Sequence, residues 1–103
     1  MKQRRLKPAD RRQEILVAAL KLAIKLGYEK VGRERIAEAI GITGTGIQYH
    51  FKTIKKLKQS LMLYAIESEC LHVIAQGLVR GDVYAKKAPL ALRRKALNYI
   101  LDN

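Results

Sequence analysis

An all-α fold is predicted by three features of the sequence: apolar residues recurring at helical spacing, glycines where those stretches end, and no stretch with convincing strand alternation. The expected architecture is a helix-turn-helix core of three helices, a long fourth helix and a C-terminal fifth helix. A chain of 103 residues suffices for one compact core. Within it we expect a basic arm over residues 1–9, a binding unit over 10–69 and a short helical dimerisation region over 70–103.

The first helix is expected from Asp10, its cap, with Gln13 as capping-box partner. Ile15, Ala19, Leu22, Ala23 and Leu26 share its inner face, and Arg11, Glu14, Lys21 and Lys25 the outer one. Gly27 supplies a left-handed stop, with Tyr28 placed to fold back on the last turn. A short second helix runs from Arg33 to Ile40, with Ile36, Ala37 and Ile40 inward, and ends at Gly41. Thr43 caps a third, from Gly44 to Phe51, in which Gly44 and Gly46 each cost about 1 kcal/mol relative to alanine. Tertiary packing must hold that helix.

Thr53 caps the fourth helix, where Ile54, Leu57, Leu61, Tyr64 and Ala65 form one stripe and Leu63, Ile66, Cys70, Val73 and Ile74 widen it. So broad an apolar surface needs a second partner, and another copy of the chain is the expected one. Gly77 and Gly81 bracket the end of this helix, and Gly81 to Ala88 reads as a loop. Pro89 opens the last helix, with Leu90, Leu97, Ile100 and Leu101 as its inner face and Arg93, Arg94 and Lys95 solvated.

Lys and Arg number 21 against 9 Asp and Glu, a formal charge of +12 that repels itself unless a polyanion offsets it. A single cysteine, Cys70, excludes an internal disulfide and a thiolate zinc site and suits a reducing compartment. Lys21 and Lys25 interrupt the apolar stretch after MKQRRLK, so it does not read as a secretion signal. No stretch approaches the roughly 20 apolar residues of a membrane span. His50 and His72 lie on different helices without metal spacing, and no glycine-rich phosphate loop follows a strand, so no enzyme, metal or cofactor is expected.

The stretch GRERIAEAIGITGTGIQYHF, residues 32–51, meets the steric demands of a helix-turn-helix. Ala37 is small where the helices cross, Gly41 takes the turn, and Ile36, Ile40, Ile42 and Ile47 lock the two together. With RRQEILVAALKLAIKLGY before it and YHFKT and Leu57 after it, the segment from Asp10 to Glu67 resembles the N-terminal DNA-binding domain of the TetR (tetracycline repressor) family of bacterial regulators. The resemblance implies a TetR-like, homeodomain-like fold and a DNA-binding transcriptional regulator. Gln48 departs from it, since the family carries tyrosine there. The family also continues into an inducer-binding domain that is nearly absent from this sequence, so no small-molecule inducer is expected.

In such a motif the second of the paired helices enters the major groove. Its outward positions, Gly44, Thr45, Gln48 and Tyr49, are the candidate base contacts, with Gln48 suited to a bidentate pair with adenine. Arg33, Thr43, Gly46, Tyr49, His50, Lys52 and Lys56 are the candidate phosphate contacts, together with Arg4 and Arg5 of the arm. For several residues a plainer reading stands beside the contact: a solvated Gln48, a Thr45 that only starts the helix, a loose first turn at Gly44 and Gly46, a Tyr49 or His50 packed in the core. The expected partners are double-stranded DNA and a second copy of the chain, with no membrane, in a bacterial cytoplasmic, nucleoid-associated setting. The rival readings are a helical protein-interaction module and a basic protein that binds nucleic acid or a membrane surface without specificity.

Overall fold

The computed structural model describes residues 7–102, and every regular element among them is a helix. Arg4 and Arg5 therefore lie outside the described residues. The first helix, α1, spans Pro8–Leu26 and begins earlier than expected: Lys7 is the N-cap residue, and its carbonyl accepts from Arg11 N at 2.9 Å. Proline suits that first position, because its fixed φ is already helical and its missing N–H would have no partner there. Asp10 sits inside the first turn and does not cap it. Ile15, Ala19 and Ala23 are buried as expected, Leu16 joins them, and Leu26 is exposed.

Gly27 stops α1 at φ 106° and ψ 144°, a positive φ that disfavours any side chain but outside the left-handed helical region. Tyr28 follows this stop directly. It opens a 3₁₀ turn, Tyr28–Lys30, and is buried against later helices. Helix α2, Arg33–Ile40, and helix α3, Gly44–His50, follow, with Phe51 just beyond α3.

The expected long fourth helix is two helices. Helix α4 covers Ile54–Glu67, the chain reverses through Ser68–Cys70, and helix α5 covers Leu71–Arg80. Glu69 adopts φ +52°, unusual for a residue with a side chain, and Cys70 N donates to Ala65 O at 2.8 Å to close the α4 end. No glycine or proline marks the break. The return of α5 buries Val73, Ile74 and Ala75, and that burial offsets the local backbone cost.

The segment expected as a loop contains helix α6, Val83–Lys86, which Asp82 caps by accepting from Tyr84 N at 2.9 Å and Ala85 N at 3.0 Å. Pro89 stands immediately before helix α7, Leu90–Asp102. Its inner face is not Leu90, Leu97, Ile100 and Leu101, which are exposed, but Leu92 and Ala96, continuing from Ala88. Residues at four-residue spacing, two of them alanine, let α7 lie close along α5, its main neighbour. One continuous core joins Ile15 and Ala19 of α1, Ile36 of α2, Ile47 of α3, Leu57 and Leu61 of α4, Ile74 of α5 and Ala96 of α7.

Candidate nucleic-acid interface

The turn between α2 and α3 is built by backbone hydrogen bonds that its residues permit. Gly41 takes φ 73° and ψ 34°, and both Gly41 N and Ile42 N donate to Ala37 O, the second at 3.0 Å. This left-handed closure redirects the chain within a few residues. Thr43 then caps α3, its Oγ1 accepting from Gly46 N at 3.1 Å. The cap occupies an acceptor site and leaves the hydroxyl proton available to a phosphate oxygen.

Helix α3 is held from beneath. Ile47 is fully buried against Ile36 and Ala37, and Phe51 is buried at its C-terminal end. Arg12 of α1 fastens the same end: its guanidinium lies 4.3 Å from the centre of the Phe51 ring, Nη1 donates to His50 O at 3.2 Å, and Nη2 reaches Ser60 Oγ of α4 at 3.4 Å. Arg12 is absent from the sequence-based candidates. Nothing in the spacing of a basic residue on a polar helix face says which neighbouring helix it will cross.

With its inner side locked, α3 presents Thr45, Gln48 and Tyr49 to the surface. Tyr49 is 70% exposed, which removes the core-packing alternative for it. Its ring meets the His50 ring edge-on at 5.0 Å, with Lys52 Nζ 5.7 Å from its centre. Gly46 is half-buried and Gly44 lies under Glu34, whose carboxylate Oε2 would be 2.7 Å from a β-carbon placed there. Gly44 is therefore the least accessible of the four candidate base contacts.

Arg33 and Gln48 are joined directly, Arg33 Nη1 donating to Gln48 Oε1 at 2.9 Å. His50 is half-buried, and its pKa lies below the usual histidine value, first through desolvation and then through the nearby charges of Arg11 and Arg12. Lys52 and Lys56 are exposed and line an open cleft with Arg12, His50, Phe51, Gln59 and Ser60. Thr53 caps α4 beside them, accepting from Lys56 N at 3.1 Å. The exposed face of α3 is thus flanked by Arg33 on one side and by the Lys52 and Lys56 cations on the other, an arrangement that suits a polyanion.

Among the described residues no group of three or more His, Cys, Asp or Glu side chains converges as a metal site, and no helix is long and apolar enough to cross a membrane. Comparison with curated proteins and with solved structures gave no match. The family model described as bacterial regulatory proteins, tetR family, matches residues 15–61, from the second turn of α1 into the middle of α4. That segment holds the locked helix pair and the cations around it, and it is similar to the N-terminal DNA-binding domain of the tetR family of bacterial regulatory proteins.

Proposed function

We propose that the chain is a sequence-specific transcriptional regulator that binds a palindromic operator as a homodimer and represses by occluding a promoter. The observation that carries this reading is the exposure of Thr45, Gln48 and Tyr49 on a helix whose opposite side is fixed by Ile47, Phe51 and Arg12. A rigid support lets side chains meet base edges without loss of ordering entropy at each encounter. Thr45 and Gln48 take the base contacts, with Gly44 and Tyr49 at their margin. Arg33, Thr43, Gly46, Tyr49, His50, Lys52 and Lys56 hold phosphates, joined by Arg4 and Arg5 of the arm. The protein acts by binding and not by catalysis, in the bacterial cytoplasm on the nucleoid.

Residues 70–103 serve dimerisation in this reading. The breadth of the apolar stripe on α4 is accounted for by α5 and α6, which pack on it within the chain. Support for self-association comes instead from α7, where Leu90, Leu97 and Leu101 fall along one exposed side. In the dimer the two α3 helices stand about one DNA turn, ~34 Å, apart.

Selection of bound duplexes from a random pool tests the whole reading. A palindromic consensus with half-sites about one turn apart is expected. Equal retention of all sequences at moderate salt removes sequence-specific regulation, and sedimentation as a monomer with and without DNA removes the homodimer.

A further inference from the structure

Gln48 is not an independent reader. Its carboxamide is engaged by Arg33 at 2.9 Å, and a guanidinium only donates, so the atom facing Arg33 must be Oε1. The amide is thereby oriented: Oε1 is turned toward Arg33 and Nε2, with both its protons, away from it. Arg33 sits in the first turn of α2 and Gln48 in the second turn of α3, so the pair bridges the helix crossing that Ile36, Ala37 and Ile47 lock from inside. Among the described residues neither side chain makes another hydrogen bond that competes for this geometry.

We propose that Arg33 and Gln48 act as one donor unit and read guanine. Arg33 is thereby a specificity-determining residue, beyond its assignment to phosphate. The inference rests on the proposed function and deepens it. A free glutamine matches adenine because its oxygen accepts from N6 while its nitrogen donates to N7. Here the oxygen already accepts from a cation, and the positive charge beside it repels the adenine amino group. Oε1 keeps a second lone pair beside that charge, while the Nε2 amide and the N–H groups of Arg33 not bonded to Oε1 are all donors. Guanine offers acceptors at both O6 and N7 in the major groove, and no other base presents two adjacent acceptors there.

The test selects duplexes from a random pool with the full-length wild-type protein and with Gln48→Ala, Arg33→Ala and Arg33→Met, each shown by thermal unfolding to be folded. Wild type is expected to require guanine at one position in each half-site, with adenine there binding about tenfold or more weaker. Gln48→Ala is expected to lose that preference. Either Arg33 variant should change the preferred base at the same position from guanine to adenine, because the released carboxamide regains its acceptor. A change of base identity cannot arise from loss of a phosphate contact or from general destabilisation. An adenine preference in wild type, or Arg33 variants that keep guanine and weaken all sequences alike, overturns the inference while leaving the proposed function standing. Wild-type protein that discriminates among no duplexes overturns both.

Discussion

The Tyr28 hydroxyl donates to the backbone carbonyl of Lys58 at 2.9 Å, so the 3₁₀ turn after α1 is pinned to the second turn of α4. The Asp82 carboxylate stands 3.3 Å from the same oxygen, and the Tyr28 backbone amide donates to Gln76 Oε1, bringing α5 and the start of α6 to one residue. Burial, then the Asp82 charge and its hydrogen bond, push the phenol well above the ordinary tyrosine value.

This raised pKa sets an alkaline limit on stability. The folded state holds the proton more tightly than the unfolded chain, so the contribution is complete below the ordinary tyrosine value near 10 and declines as pH rises beyond it. Tyr28→Phe should lower stability at neutral pH by about 1 kcal/mol through the lost hydrogen bond and flatten the decline above pH ~10. Thermal midpoints of both proteins measured from neutral to strongly alkaline pH check this; parallel curves would refute it.

Gly77 lies inside α5 because there is no room for a methyl group. A β-carbon there would overlap Met62 Cε and come within 2.9 Å of the Ala85 β-carbon. Methionine can swing aside, but Ala85 can move only with the α6 backbone. Gly77→Ala should therefore destabilise by about 1 kcal/mol net, with an overpacking cost of about 1–3 kcal/mol exceeding a helix-propensity gain of about 1 kcal/mol. Urea denaturation decides, and a stabilised variant would contradict the packing.

Gly46 gives the opposite case. Its β-carbon position meets Ile42 Cδ1 at 3.4 Å and Thr43 Oγ1 at 3.6 Å, ordinary contact distances. Gly46→Ala should raise folding stability by about 0.5–1 kcal/mol and at the same time weaken DNA binding, if the bare backbone is what approaches a phosphate. A more stable variant with unaltered affinity would remove Gly46 from the interface.

Arg12→Ala should cost about 1 kcal/mol of stability, from the stack on Phe51 and the bond to His50 O. It also removes one of the charges that depress the His50 pKa, so this pKa should rise toward the ordinary value near 6.5 without reaching it, since burial and Arg11 remain. In wild type the unfolded chain binds the His50 proton before the folded one does, so stability declines as pH falls below ~6.5 and levels off beneath the folded pKa. The variant should show a smaller decline. Proton NMR titration of His50 follows the shift directly, and an unchanged pKa would rule out the Arg12 contribution.

The helix-turn-helix was legible because each of its constraints is local. Gly41 must take a positive φ, Thr43 must cap, and Ile36, Ala37 and Ile47 face one another at fixed offsets. The break between α4 and α5 was not legible, because Glu69 carries no signal for a left-handed conformation and apolar periodicity runs on through Cys70 to Ile74. The inner face of α7 was misassigned for a related reason. Leucines at 90, 97 and 101 are the stronger hydrophobic signal, yet close approach to α5 favours the small Ala88 and Ala96, a preference that exists only once the partner is known. At the interface the sequence marks Gln48 and Arg33 as candidates but not the bond between them.

The reversal at Glu69 also bears on how the chain can be divided. By turning α5 back beneath α1 and α4, it gives Tyr28 partners 48 and 54 positions further along, at Gln76 and Asp82. Residues so distant must be gathered before either half is secure, so folding is expected to be a single cooperative transition. A protease cut at the exposed Lys86 or Lys87 would detach Leu92 and Ala96 from the shared interior and so loosen the core that also holds Ile47 of α3.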